Sequence, residues 1–223
     1  MEFFANIVEI LSKYWKVFLI TGVSKTLILS IITVTCGAIL GLLICLGRIS
    51  KIKPLKWVLT ALVAVIRGTP MLLQLYVFYF LVPKVLPFKV SEFFSIVVGL
   101  SINSACYVSE VFRSGIESVD HGQMEAGRCL GLSKRQTMQK IIIPQAIKTI
   151  LPALGNEFIM IVNDTSLAST FFVGEVMTSY LIVKGITYLT FECLTIVAAI
   201  YFVLTLILTK LLGILEKRLK END

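Results

Sequence analysis

Residues 26–47 read TLILSIITVTCGAILGLLICLG, and this stretch decides the structural class of the protein. It holds 22 residues and contains no lysine, arginine, aspartate or glutamate. A helix needs about 20 mostly apolar residues to cross the hydrocarbon core of a bilayer. The stretch therefore predicts a transmembrane helix.

The composition of the whole chain indicates that lipid is its main solvent. Of 223 residues, 57% are hydrophobic and 16% are charged, and the mean hydropathy is +0.88. Soluble domains carry about 25% charged and about 45–50% apolar residues. The net charge of +7 is then expected to reflect membrane topology and not nucleic-acid binding, because lysine and arginine placement sets the orientation of membrane proteins.

The residues that usually hold metals are few. The chain has one histidine and five cysteines, and the cysteines are widely spaced with no CxxC pair. This pattern is typical neither of a zinc site nor of a disulfide framework, and it favours buried thiols that pack as small hydrophobes. We expect no metal site and no cofactor.

Apolar runs predict an all-α membrane protein, a single domain over residues 1–223 with five transmembrane helices. The predicted spans cover residues 26–47, 55–82, 90–112, 148–171 and 191–215. Residues 1–25 are interpreted as an amphipathic segment. Within the second span, the sequence Arg67-Gly68-Thr69-Pro70 predicts a helix break, because Pro70 lacks a backbone donor and Gly68 admits unusual backbone angles.

The basic residues predict the orientation. Fourteen lysines and arginines fall around the loops after the first and third spans and in the C-terminal tail, against six on the opposite side, with Arg67 left inside a span. The positive-inside rule then places the N-terminus outside and the C-terminus in the cytoplasm. Five spans are consistent with this orientation, since it requires an odd number.

The polar stretch at about residues 115–144 has the pattern of two short helices at the cytoplasmic surface. Asp120 with Gln123, and Ser133 with Gln136, are spaced as capping boxes, and Gly131 lies where a left-handed C-cap is expected. On the first helix, the charge of Glu125 lies beside the small residues Ala126 and Gly127. Two interpretations remain open here: an amphipathic helix that rests on lipid headgroups, or a surface that docks a cytoplasmic partner.

This stretch resembles the EAA loop of ABC importer membrane subunits, in which E-A-A is followed by three residues, G, nine residues and I-x-L-P. The matching residues are Glu125-Ala126-Gly127, Gly131, Ile141, Ile143 and Pro144. Other motifs resemble the polar amino acid branch, which imports histidine, glutamine, arginine and cystine. They are Arg67-Gly68-Thr69-Pro70 with Gln74, Gly122-Gln123, Pro144-Gln145-Ala146, Leu151-Pro152, Gly155-Asn156 and Asp164-Thr165-Ser166-Leu167.

The resemblance covers roughly residues 22–210 and has three departures. Gly127 replaces the second alanine of E-A-A, and Ile143 replaces the final leucine of the loop. Asn163 stands where the branch usually has a lysine that lies near the transported substrate.

The resemblance implies a permease subunit with a fold like that of type I ABC importers, which forms the translocation pathway by alternating access. It implies a dimer of separate ATPase subunits, a second permease (a copy of this chain or a relative), an extracytoplasmic binding protein, and a bacterial inner membrane location. Glu125, Ala126, Gly127 and Gly131 are the implied ATPase-coupling residues. The chain contains no G-x-x-x-x-G-K-[ST] phosphate loop of its own, so we expect it not to be an ATPase.

Polar residues inside spans are costly and usually line cavities or pair with each other. The residues predicted to surround a polar amino acid are Arg67, Gly68, Thr69, Asn103, Asp164, Thr165 and Ser166, with Glu157 as a lesser candidate. Arg67 follows Lys56 by about 16 Å of helical rise, which predicts a position near the middle of the bilayer. The alternative for Arg67 is an ion pair with Asp164 that holds spans two and four together, and both arrangements are compatible with different transport states.

Two other classes of function remain open as alternatives. A structural or coupling subunit would keep the docking helix and lack a substrate site. An intramembrane enzyme would need a catalytic constellation, and neither H-E-x-x-H nor G-x-S-x-G occurs.

Overall fold

The computed structural model describes residues 2–220 and confirms the all-α class. The described residues form ten α-helices, which we number α1 to α10, and no strands. Their bounds are α1 Glu2–Trp15, α2 Ser24–Arg48, α3 Lys53–Arg67, α4 Met71–Val85, α5 Glu92–Glu117, α6 His121–Cys129, α7 Lys134–Thr137, α8 Ile143–Asp164, α9 Val176–Thr187 and α10 Thr190–Lys220. Residues 1 and 221–223 of the predicted domain lie outside the described part.

Three helical segments are long and apolar enough to cross a membrane: Glu2–Arg48, Glu92–Glu117 and Thr190–Leu219. Two bent helix pairs pass the same test together, so the number of candidate spans reaches five if each pair is one span. The first segment joins the predicted amphipathic segment to the first predicted span, because the π-helical turns Lys16–Val23 connect α1 to α2 without a break.

The predicted second span, 55–82, is covered by two helices, α3 and α4, which are bent by 113° at residues 68–70. The break lies where Pro70 predicted it, but the expectation of unusual backbone angles at Gly68 is wrong, because Gly68 has the right-handed values φ −93° and ψ −1°. The carbonyl groups that the break leaves free find side-chain partners. Thr69 Oγ1 donates to Val65 O at 2.9 Å, and Gln74 Nε2 donates to Ile66 O at 2.6 Å and to Thr69 O at 3.0 Å.

The region after the third span differs from the predicted boundaries. α8 begins at Ile143, five residues before the predicted start of the fourth span, with Pro144 in its first turn, and it follows the π-helical turns Met138–Ile142 directly. A 3₁₀ helix, Thr165–Phe171, continues α8, and Phe172 then ends it in the left-handed conformation. The short helix α9 was not predicted, because its 12 residues fall well below the length of a span.

Close packing of α2 against α5 depends on glycines of α2. A Cβ atom added at Gly37 would lie 2.6 Å from Ser104 Oγ, and one added at Gly41 would lie 2.8 Å from Ala105 O and 2.9 Å from Val108 Cβ. In a membrane, where hydrocarbon offers no hydrophobic drive between helices, small residues allow backbones to approach and gain van der Waals contact. This contact fixes the position of α5 against α2, and α5 carries much of the polar site.

Gly41→Ala is therefore expected to lower the thermal stability of the subunit. The new methyl group meets a backbone carbonyl oxygen and a Cβ atom, which cannot move aside as a flexible side-chain end can, and overpacking of this kind costs about 1–3 kcal/mol. Thermal unfolding in detergent measures the change. Gly213→Ala is the matched control, since a Cβ there has nothing within 4 Å, and equal midpoints for the two variants would contradict the packing argument.

Candidate functional site

A polar cavity of about 220 Å³ lies where the α3–α4 break meets α5 and α8. Its lining residues are Thr69, Met71, Asn103, Tyr107, Glu157, Met160 and Asp164. The volume is below the range of about 300–1,000 Å³ typical of drug-sized pockets, so it suits a small polar molecule. A larger cavity of about 490 Å³ between α2, α3, α4 and α5 has only apolar lining residues, and it offers no polar group to orient such a molecule.

The structure brings together three of the seven predicted substrate residues, Thr69, Asn103 and Asp164. The lesser candidate Glu157 also lines the cavity, and it is buried. On α8, residues 157, 160 and 164 share one face at helical spacing, which is the signal that could have found Met160 and grouped Glu157 with Asp164. On α5, Tyr107 follows Asn103 by one turn for the same reason.

The other four predicted residues lie outside the cavity lining. Gly68 is exposed at the end of α3, and Ser166 is half-buried in the 3₁₀ helix. Thr165 is fully buried, and its hydroxyl donates to Val162 O at 2.7 Å, so it caps its own helix. The Arg67 side chain lies near Glu110 instead. Asn163 is exposed and does not line the cavity either, although Asp164 beside it does.

A hydrogen-bond network holds the cavity wall in place. Asn103 Nδ2 donates to Gln74 Oε1 at 2.8 Å, and Gln74 Nε2 in turn donates to Thr69 Oγ1 at 2.9 Å and to backbone oxygens of the break. On the opposite wall, Ser104 Oγ donates to Glu157 Oε1 at 3.0 Å. The network joins the broken helix to α5, and α5 to α8, so the cavity has fixed polar walls.

Among the residues that line the cavity, two are acidic and none is basic. Glu157 and Asp164 both line it, and none of the ion pairs within residues 2–220 includes either carboxylate. Buried ionised groups are costly unless they are paired. The arrangement is therefore complementary to a ligand that carries a positive charge.

Arg67 does not pair with Asp164, so that alternative is wrong for this structure. Its Nη1 lies 3.8 Å from Glu110 Oε1, the oxygen that also binds Arg48 Nη1 at 2.6 Å. Arg48 is the last residue of α2, so the Arg67 guanidinium lies at the level of that helix end. The position of Arg67 near the middle of the bilayer stays a prediction.

The polar stretch after α5 forms the predicted pair of short helices. Asp120 caps α6 by accepting from Gly122 N at 2.7 Å, and the predicted partner Gln123 accepts from Gln145 Nε2 at 3.4 Å instead of completing a capping box. Ser133 and Gln136 do form a capping box at the start of α7.

Gly131 ends α6 as predicted, with a positive φ of 84°. Its N–H donates to Arg128 O at 3.1 Å, and Leu132 N donates to Gly127 O at 3.1 Å. These two bonds form a Schellman motif, in which a residue in the left-handed region lets the chain reverse and satisfies the last carbonyl groups of the helix.

Fewer residues of α6 are exposed to a partner than predicted. Glu125 and Ala126 are exposed, but Gly127 is buried against its own chain. A Cβ at Gly127 would lie 2.5 Å from Thr137 Cγ2 and 3.0 Å from Ile141 Cδ1. The small size of Gly127, one of the implied coupling residues, lets α6 pack on the helix that leads into α8.

Known permease proteins are similar to this chain over most of its length. The chain is 39% identical over 206 residues to the arginine transport system permease protein ArtQ of Bacillus subtilis, covering 92% of this chain and 94% of that protein. It is 36% identical over 209 residues to the L-cystine transport system permease protein TcyB of the same organism, covering 92% and 88%.

Two solved structures have a similar fold. The crystal structure of an amino acid ABC transporter with histidines shares 43% identity and a TM-score of 0.88, covering 93% of this chain and 96% of that chain. A chain of the MetNI methionine ABC transporter in an inward-facing conformation shares 17% identity and a TM-score of 0.74, covering 91% and 96%. The second likeness concerns the fold alone.

The expected importer-like membrane fold is confirmed by these likenesses. The family model described as "binding-protein-dependent transport system inner membrane component" matches residues 33–221. That match covers most of the chain, including the broken helix, the cavity and the α6–α7 loop. The chain belongs to this family of inner membrane components of binding-protein-dependent transport systems.

Proposed function

We propose that this chain is the permease subunit of an ATP-driven importer of polar amino acids, and that its cavity prefers basic amino acids such as arginine. The observation that carries the substrate class is the pair of carboxylates, Glu157 and Asp164, which line one small cavity without a basic partner in the described chain. The family and the names of the relatives support amino acid import.

The cavity offers a separate contact for each part of such a substrate. Glu157 and Asp164 lie on one face of α8 and attract an ammonium or guanidinium group. The Asn103 amide and the Thr69 hydroxyl on the facing wall can bind the polar remainder of the molecule. Broken helices at such sites expose backbone groups that bind charged ends of substrates, and the α3–α4 break forms part of this wall.

Energy for transport enters through the α6–α7 loop in this proposal. The chain itself does not hydrolyse ATP, and a dimer of partner ATPase subunits moves α6 through the exposed residues Glu125 and Ala126. Because α7, the π-helical turns Met138–Ile142 and α8 follow one another directly, movement of the loop is transmitted to the helix that carries Glu157 and Asp164. The internal packing of Gly127 and the Gly131 turn keep the loop rigid enough to act as a lever.

The whole chain forms one membrane domain in this proposal, with the N-terminus outside and the C-terminus in the cytoplasm. One copy supplies too few helices to enclose a pathway, so a second permease, either a copy of this chain or a relative, completes it. An extracytoplasmic binding protein delivers the amino acid to the outer face.

The proposal is tested by substrate-stimulated ATP hydrolysis and uptake in liposomes that contain this permease, its ATPase and its binding protein. Arginine, lysine and histidine are compared with glutamine and cystine. We expect stimulation by at least one basic amino acid and weaker stimulation by the neutral ones. A preference for a neutral amino acid would overturn the assignment of the cavity to basic substrates, and no stimulation by any amino acid in an assembled complex would overturn the importer of polar amino acids.

A further inference from the structure

A cluster of charged residues lies next to the cavity, on the side nearer the end of α5. Glu110 accepts hydrogen bonds from Arg48 Nη1 at 2.6 Å and Arg113 Nε at 2.8 Å, and Arg67 Nη1 lies 3.8 Å away. Along α5, Glu110 lies about 10 Å beyond the cavity residue Asn103 at 1.5 Å of rise per residue. The Glu110 cluster therefore joins the ends of α2 and α3 to α5 beyond the cavity, on its cytoplasmic side in the proposed orientation.

Tyr107 connects the cavity to the Glu110 cluster. It lines the cavity, and the Arg67 guanidinium carbon lies 5.2 Å from the centroid of its ring. This distance is within the range of a cation–π contact. The Arg67 guanidinium thus lies near both the Tyr107 ring, which is part of the cavity wall, and the Glu110 carboxylate.

Arg67 is more exposed than Arg48 and lies farther from Glu110. Its side chain is 44% exposed, and its distance of 3.8 Å from Glu110 is 1.2 Å longer than that of Arg48 to the same oxygen. Arg67 is the last residue of α3, and Thr69, two residues further along the chain, is a cavity residue held by Gln74. A shift of Arg67 therefore moves the end of α3 against α5.

We propose that Arg67 is a positioning residue that links occupancy of the cavity to the Glu110 cluster. The inference rests on the proposed function, because it requires a cationic substrate in the cavity. A positive group held by Glu157 and Asp164 repels the guanidinium from the Tyr107 ring, and Arg67 then closes on Glu110. The end of α3 is drawn toward α5, so the cytoplasmic side responds to the presence of substrate.

The test separates substrate binding from the response to it. In the assembled permease–ATPase complex, Arg67→Gln is compared with wild type for binding of radiolabelled L-arginine and for stimulation of ATP hydrolysis by arginine-loaded binding protein. We expect arginine affinity to stay within about threefold and the stimulation to fall at least fivefold. Lys56→Gln is the matched control, because Lys56 is an exposed cation of the same helix, and it is expected to behave as wild type.

Tyr107 provides a second pair of variants, should Arg67→Gln fail to assemble. Tyr107→Leu removes the ring that holds Arg67, and its stimulation of ATP hydrolysis is expected to fall as in Arg67→Gln. Tyr107→Phe keeps the ring and is expected to keep at least half of the wild-type stimulation. Equal stimulation in the Leu and Phe variants would overturn the link. So would full stimulation in Arg67→Gln, or a loss of arginine affinity greater than tenfold, which would make Arg67 a direct ligand.

The two proposals fail in different ways. A wild-type complex that responds to no amino acid removes the proposed function, and the link with it. A wild-type complex that responds to arginine while Arg67→Gln responds equally well removes the link alone.

Discussion

Asp164→Asn should raise the arginine concentration needed for half-maximal uptake by about 30-fold or more. The substitution keeps the size of the side chain and removes one of the two carboxylates that line the cavity. Loss of one partner of a buried charge pair costs about 2–5 kcal/mol, and each 1.4 kcal/mol is a factor of ten in affinity. Uptake of labelled arginine into liposomes, measured over a concentration series, gives the value directly.

The control variants decide whether the effect belongs to the cavity. Glu157→Gln, in the same cavity, is expected to act in the same direction, whereas Glu9→Gln removes an exposed carboxylate of α1 and should leave uptake unchanged. The Asp164 variant should also lose discrimination between arginine and glutamine, because its cavity has one carboxyl group fewer for a cationic side chain to pair with. If uptake by Asp164→Asn matches wild type, recognition lies in the partner permease or the binding protein.

Glu125→Lys should reduce ATP-driven uptake to the background of liposomes without ATP, a loss of about 100-fold. Glu125 is exposed on α6, next to the exposed Ala126, so the change alters the surface offered to a partner and no internal contact. Placing like charges opposite each other at an interface costs several kcal/mol, which is enough to prevent docking of an ATPase. Co-purification of the ATPase with the permease should fall in parallel.

Folding is the control for this variant. Exposed substitutions away from special features usually change stability by no more than about 0.5 kcal/mol, so the thermal midpoint of Glu125→Lys should match wild type, and Glu9→Lys, a charge reversal on exposed α1, should leave uptake intact. The alternative interpretation, in which α6 only rests on lipid headgroups, predicts normal co-purification and normal uptake in Glu125→Lys. That result would remove the docking role.

The local features of this protein could be predicted from its sequence, because each depends on residues close together in the chain. The charge-free run at 26–47 is long enough to cross a bilayer. Pro70 marks the break between α3 and α4, since a missing donor acts on its own turn. The same holds for the capping box at Ser133 and the left-handed Gly131.

The functional arrangement depended on directions that no local pattern contains. Arg67, the last residue of α3, meets Glu110 and Tyr107, which both belong to α5. The contacts of Arg67 depend on where α2, α3 and α5 converge.

Sequence by itself determined an all-α membrane protein with a broken second span and a capped α6–α7 loop, and through its motifs the family. Tertiary structure alone decided that Glu157 joins Asn103 and Asp164 in one cavity, and that Gly127 faces Thr137 and not a partner. The physical reason is that hydrogen bonding and backbone strain act over one or two turns of a helix. Cavities and ion pairs form only where packing brings separate helices to the same depth and turns the right faces together.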